Sequence, residues 1–254
     1  MTNQAFFGDP ADVIAAGVGG TFVLRGPEAH HAATVKRVVA GETIDILDGR
    51  GRRLTCTVME STATAVSATV DAVSVDALPE PRIVLVQALA KADRSELAVE
   101  AATELGVDMV LPWQADRSIV RWRADKAVKG RSKWESLVRA AAKQSRRTHV
   151  PEVLEVEDTR GLARWLESIG GGILLHEDAE ESLAGYWSRS AGRSPGTVGT
   201  IALIVGPEGG ISPQEVDLLV KCGAVPVQLG RNVLRASTAG PAAIAVLNQL
   251  AGRW

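Results

Sequence analysis

Cysteine is scarce in this 254-residue chain: Cys56 and Cys222 stand far apart, outside any CxxC or Cys/His cluster. That argues for a reducing compartment, the cytosol by default, and against structural zinc or any other bound metal. Long apolar runs are missing too. No stretch approaches the roughly 20 apolar residues that span a bilayer. The start, MTNQAFFGDP, has neither a basic region nor an extended apolar one, so no signal peptide and no membrane partner are expected. No GxGxxG follows an apolar run and no GK[ST] occurs, which removes the dinucleotide fingerprint and the P-loop. Strong charge of one sign is likewise absent, the formal net charge being −2.

What is present begins with the distribution of that charge. Residues 117–147 hold eleven Lys and Arg against two acids, Asp125 and Glu135. A nearly neutral protein with one such stretch can carry a phosphate-binding face, although a solvated mixed-charge helix reads equally well from charge alone. Further basic groups lie at Arg25 to Arg37, with His30 and His31, and at Arg50, Arg52 and Arg53. The 46% hydrophobic content and the length allow one large domain or two small ones with a real core.

Two rhythms divide the chain. Residues 21–24, 43–47, 54–59 and 65–73 read as short β-strands, with a turn signal at Asp48, Gly49, Arg50 and Gly51 and one short helix over 28–39. Such strands imply a small β-barrel or sandwich over residues 1–75. The proline-containing stretch SVDALPEP, 74–81, marks a boundary, and residues 79–254 then alternate β and α. Strands are expected at 83–89, 107–111, 172–176, 201–205 and 225–229. A helix is expected at 94–105, and a long basic one over 124–147 with a break at Gly130. This alternation implies a parallel sheet covered on both faces.

The chemistry concentrates at two loops. The apolar run 201–205 enters Gly206, Pro207, Glu208, Gly209 and Gly210, and Ser212, Pro213 and Glu215 then form a near-ideal helix start with a capping box. A glycine-rich turn at the carboxyl end of a buried parallel strand is where open α/β folds place ligands. Glu208 beside a helix N-terminus disfavours phosphate and favours a nucleoside or amino-acid-like ligand. The second loop runs from Leu229 to Gly240 and leads into an apolar helix over 241–250.

GPEGGIS with its following helix, then LG-x-x-V-L-R-x-x-T-A, resembles the SPOUT class of methyltransferases. Within that class it is similar to the RsmE family, which methylates N3 of a uridine in 16S ribosomal RNA of the small subunit. The likeness extends to Lys91, Ala92, Asp93 and Arg94 leading to ATELG at 102–106, to Arg117 and Ser118, to Lys143, Gln144 and Ser145, and to Leu175, His176 and Glu177. It implies a trefoil-knotted α/β domain preceded by a small PUA-like β-barrel that binds RNA, and a homodimer through the knotted domain. It also implies S-adenosylmethionine as cofactor, lined by Leu175, His176, Gly206, Pro207, Glu208, Gly209, Leu229, Gly230, Val233, Leu234, Arg235, Thr238 and Ala239.

Arg235 and Glu208 are the catalytic candidates: the arginine to stabilise a developing imide anion, the glutamate as a base or, the favoured role, as a brace of the cofactor loop. RNA contacts are expected from Arg25, Arg37, Arg117, Arg121, Trp122, Arg123, Arg146 and Arg147, with Arg146 and Arg147 more as phosphate contacts than as catalysts. None of His30, His31, His149 and His176 stands out as a base. The chain departs from the family pattern at Asn232, Ala236 and Ser237, where arginine, threonine and glutamate are commoner, and at Lys143, where an acid is. Other readings are a SPOUT enzyme acting on a ribose 2′-hydroxyl or another base of rRNA or tRNA, a non-catalytic ribosome-assembly factor, and a small-molecule enzyme of the same fold class.

Overall fold

A computed structural model describes residues 3–91, 93–190 and 199–254 of the chain; Ala92 of the KADR motif lies outside them. The chain forms two compact units, one of residues 1–78 with 142–150, the other of 79–141 with 151–254.

The first unit is a five-stranded sheet: β1 (Gln4–Phe7), β2 (Thr21–Arg25), β3 (Thr43–Leu47), β4 (Arg52–Ser61) and β5 (Ala65–Val75), in the order β1-β3-β4-β5-β2. β1 runs parallel to β3 and the other pairs are antiparallel. Alternating residues fill its core, among them Phe6, Phe22, Ile44, Ile46, Leu54 and Cys56. Burial there pushes the Cys56 thiol up to about 12, so it remains a neutral packing group. β1 and the helix α1 (Pro10–Ala15) were missed by pattern, though Asp9 caps α1 by accepting from the Ala11 N–H at 2.9 Å, a start signal readable in Asp9 and Pro10. The helix expected over 28–39 is shorter: α2 (Gly26–His30) continues as a π-helical turn, His31–Val35.

Residues 142–150 complete this unit. Ala142 packs with Ala5, Phe7 and Leu47. The Gly51 N–H donates to the Thr148 carbonyl (3.0 Å) and the Val150 N–H to the Gly49 carbonyl (3.0 Å). Arg53 donates to the carbonyl of Arg146 at 3.2 Å.

The second unit carries a wholly parallel sheet. Its strands are β6 (Arg82–Ala88), β7 (Met109–Gln114), β8 (Glu152–Val153), β9 (Glu157–Asp158), β10 (Gly172–Leu175), β11 (Thr200–Val205) and β12 (Ala224–Val227), ordered β12-β10-β11-β6-β7-β8 with β9 also on β7. Its helices are α3 (Arg94–Glu104), α4 (Asp125–Gln144), α5 (Thr159–Ile169), α6 (Leu183–Arg189), α7 (Pro213–Lys221) and α8 (Ala236–Leu250). One face of the sheet packs Val84, Val86, Ala202 and Ile204 against Leu162 and Leu166 of α5 and Leu219 of α7. On the other, α3 and α8 pack together and against β6, with Gly240 of α8 so close that a Cβ there would stand 2.9 Å from Leu85 Cδ1. Both faces are therefore covered, as the near-continuous apolar strands require. Among the described residues no helix is long and apolar enough to cross a membrane.

Three expectations need correction. The basic helix ends at Gln144, so Arg146 and Arg147 lie beyond it; Arg146 takes a positive φ of 59° and its N–H returns to the Lys143 carbonyl (3.1 Å), which ends the helix. α4 is not broken at Gly130. That glycine leaves room for an indole instead: a Cβ would fall 2.4 Å from the Trp122 ring. α8 starts at Ala236, five residues before Pro241, so that this proline lies inside the helix and not at its start.

Candidate active site

β12, β10 and β11 are neighbours, and their carboxyl ends open into one cleft of about 910 Å³. The two loops singled out in the sequence are not on adjacent strands: β10 lies between them and adds its own loop, Leu175 to Asp178. The cleft thus spans three strand ends, the position at which parallel α/β sheets bind ligands.

The loop after β11 is firmly built. The Gly210 N–H donates to the Pro207 carbonyl at 2.9 Å, and Gly210 has φ +74°. A Cβ on Gly206 would stand 2.6 Å from Ile211 Cγ1, so only glycine lets the buried Ile211 fold under the turn. The capping box of α7 is complete, with Ser212 Oγ accepting from the Glu215 N–H (3.3 Å) and Glu215 Oε2 accepting from the Ser212 N–H (3.0 Å). The sequence did not reveal the second use of Glu215, which is 2% exposed. Its Oε1 accepts from the Asp116 N–H (2.8 Å) after β7 and from Thr159 Oγ1 (2.6 Å) at the start of α5. One buried carboxylate therefore ties three chain segments beneath the turn.

Two arginines hold the same turn from above. Arg94 Nη1 pairs with Glu208 Oε1 at 3.1 Å, and Arg117 Nη1 donates to the Gly209 carbonyl at 3.0 Å. Glu208 thus braces the loop through Arg94, a cleft residue that pattern had placed only in a motif.

The loop after β12 is built otherwise. Gln228 is anchored, its N–H on the Glu181 carbonyl (2.9 Å) and its carbonyl taking the Leu183 N–H (2.9 Å). Arg189 grips the Glu181 carboxylate with two hydrogen bonds (2.8 and 2.7 Å), which hold its pKa below the usual carboxylate range. Beyond Gln228 the chain is open: Val233 is 73% exposed and Leu234 37%, and Arg235, which precedes α8, gives it no side-chain cap.

Twelve of the thirteen residues expected at the cofactor line the cleft, including both catalytic candidates, Glu208 and Arg235. The exception is Thr238. Because α8 begins at Ala236, Ala236 and Ala239 lie one turn apart on the cleft side, and Thr238 is turned away to solvent. His176 lines the cleft, but its Nδ1 accepts from the Asp178 N–H (3.3 Å) and so shapes its own loop.

Of the residues expected at RNA, Arg117 is in the cleft wall. Arg121 and Arg123 line a separate open depression with Lys126, and Arg121 also donates to the Asp116 carbonyl at 2.6 Å. Trp122 is half-buried, edge-on to Trp134 at 5.1 Å between ring centroids, so the structure gives it a packing role. Arg25 and Arg37 are exposed and Arg146 and Arg147 half-buried, all four in the first unit.

A parallel sheet covered on both faces, with a three-loop cleft at its carboxyl edge and a small β unit before it, is the arrangement that the resemblance to SPOUT methyltransferases implies. The comparisons agree. Residues 78–248 match the RNA methyltransferase domain model and 24–71 the RNA methyltransferase PUA domain model. Ribosomal RNA small subunit methyltransferase E of Mycobacterium tuberculosis is 40% identical over 93% of this chain and 89% of its own length. That of Bacillus subtilis is 28% identical over 86% of each. The crystal structure of the Neisseria gonorrhoeae enzyme of that name, bound to S-adenosyl methionine, superposes with a TM-score of 0.82 at 27% identity, covering 98% of both chains. The chain belongs to the ribosomal RNA small subunit methyltransferase E family.

Proposed function

We propose that the chain transfers the methyl group of S-adenosylmethionine to N3 of a uridine in 16S ribosomal RNA of the small subunit. The observation that carries this reading is the cleft itself, where three adjacent strand ends bring together the residues that the family resemblance marks for the cofactor.

The donor set suits that cofactor. Backbone at Leu175, Gly206, Leu229 and Gly230 can approach it closely, Ile211, Val227 and Leu234 offer apolar surface, and Glu177, Asp178 and Asp217 supply negative charge for a cationic ligand. When bound, S-adenosylmethionine supplies an electrophilic methyl on a sulfonium. The protein's part is to hold the uridine against it, and positioning of that kind can lower a barrier by roughly 7–11 kcal/mol. Uridine N3 loses its proton on methylation. Arg235, exposed in the cleft at the head of α8, is the group to stabilise the resulting imide charge. Glu208 braces the loop through Arg94. Arg117, Arg121 and Arg123 of the second unit, and Arg25, Arg37, Arg146 and Arg147 of the first, contact RNA phosphates. Trp122, packed on Trp134, supports these arginines through the backbone beside it.

The trefoil knot of the class is supported by the order β12-β10-β11-β6 and by the return of α8 onto β6 and β11. A homodimer through this unit is supported by Leu97 on α3 and Val246 on α8, 50% and 38% exposed. A cytosolic setting follows from the substrate. Mass spectrometry of rRNA nucleosides from a deletion strain tests the reaction: N3-methyluridine should vanish and return with the wild-type gene. Its persistence would defeat the proposal. Calorimetry should show S-adenosylmethionine binding to the purified protein.

A further inference from the structure

The arginines that hold the Gly206–Gly210 turn have more donors than the turn uses. Arg94 and Arg117 come from different elements, the head of α3 and the segment after β7, yet they engage the consecutive residues Glu208 and Gly209. Each does so through Nη1, and among the described residues neither guanidinium makes another hydrogen bond. A guanidinium carries five N–H donors in a planar fork, so most of both forks is left open. Both side chains line the cleft; that of Arg94 is 43% exposed and Arg117 is exposed.

The single acid on this pair, Glu208, meets only Arg94 and by one contact, so the two arginines keep a net positive charge at the rim of the cleft. An exposed pair of that kind is worth little and yields readily to a better anion. A phosphodiester, with its two free oxygens, suits two converging forks better than a lone carboxylate does.

The geometry points to Arg94 and Arg117 as a clamp for one backbone phosphate beside the target nucleotide of the RNA. The inference rests on the RNA-methylation reading above. The clamp fixes that phosphate to the same turn that forms the cofactor site, so the nucleotide is registered against the cofactor through the backbone. Arg94 and Arg117 are positioning residues, and they carry no sequence discrimination of their own. The other anion available to them is the carboxylate of the cofactor's amino-acid moiety, and the experiment separates the two.

Wild type, R94Q, R117Q, the double variant and R94K are compared in filter binding to small subunits purified from a deletion strain, across a salt series. Calorimetry with S-adenosylmethionine and steady-state methyl transfer run in parallel. Both positions are solvent-facing, and equal thermal midpoints establish that the variants fold. Each glutamine variant should weaken subunit binding about 10-fold and raise KM for the subunit with kcat changed less than about 3-fold. The double variant should lower the magnitude of the salt slope by about one, the value for a single phosphate. R94K should restore part of the binding. Affinity for S-adenosylmethionine should fall less than affinity for the subunit, because both arginines also hold the turn that lines the cofactor site.

Unchanged subunit binding and salt slope overturn the clamp. So does a loss of cofactor affinity as large as the loss of subunit binding, which would assign the arginines to the cofactor site and not to RNA. A wild-type protein that binds subunits without methylating them defeats the proposed function, while the binding arm still judges the clamp.

Discussion

The loops after β11 and β12 face the same cleft, and they are built on opposite principles. Gly206 to Ile211 is fixed from below by Glu215, from above by Arg94 and Arg117, and from within by the buried Ile211. Arg231 to Arg235 is exposed throughout. It is anchored at its entry by Gln228, and α8 follows it without a side-chain cap. Hydrogen-bonded, buried backbone opens rarely, whereas exposed backbone with few contacts belongs to the low-stability end of a fold. One wall of the site is therefore preformed and the other is left for the ligand to order. The wall left open carries Arg235, the residue proposed to meet the uridine.

The contrast can be broken most forcefully at Glu215. Glu215→Ala leaves the Asp116 and Ser212 amides and the Thr159 hydroxyl without their acceptor, at a cost of about 3–5 kcal/mol by analogy with other buried carboxylates that lose their partners. Urea unfolding should show that loss, and a cost under 1 kcal/mol would mean that the first loop is not held from below.

Gly206→Ala comes next. Its Cβ would press on Ile211 at 2.6 Å, and overpacking of this kind costs about 1–3 kcal/mol. Gly230→Ala on the other wall meets nothing within 4 Å and should shift stability by less than about 0.5 kcal/mol. Equal effects at the two glycines would erase the distinction.

Hydrogen exchange sharpens it without a mutation. Adding S-adenosylmethionine should protect amides of 229–235 more than that of Gly210, which already donates to the Pro207 carbonyl. The smallest effect concerns the anchor of the second loop. Because Arg189 depresses the Glu181 pKa, that pair contributes above the unfolded carboxylate value and fades as pH falls through the folded one. Glu181→Gln should therefore lower the neutral plateau of a thermal-midpoint curve slightly and flatten its acid limb below about pH 4.5, where variant and wild type converge.

How much of this could be read from the chain depends on the range of the interaction. Strands at 43–47 and 201–205 and the capping box at Ser212 and Glu215 lie within a few residues, where periodicity and spacing report directly on backbone hydrogen bonds. The missed elements are short or lean on distant partners. β1 is four residues long and pairs in parallel with β3, some forty positions on. Trp122 read as an RNA-contact candidate because its neighbours are arginines, and only the structure shows its ring packed against Trp134 and Gly130. α8 started earlier than expected because proline was read as a boundary, whereas Pro241 lies inside the helix.

By itself the sequence determined the β unit followed by an α/β unit and the two glycine-rich loops. These are matters of local pattern and motif, and local hydrogen bonding enforces them. Only the tertiary structure decided that β10 stands between the two loop-bearing strands, that Glu215 ties three segments under one turn, that residues 142–150 complete the first unit, and that Arg94 joins Arg117 on that turn. Each of these joins residues tens of positions apart, and the order in which strands pair and helices cover them leaves no periodic trace in the chain.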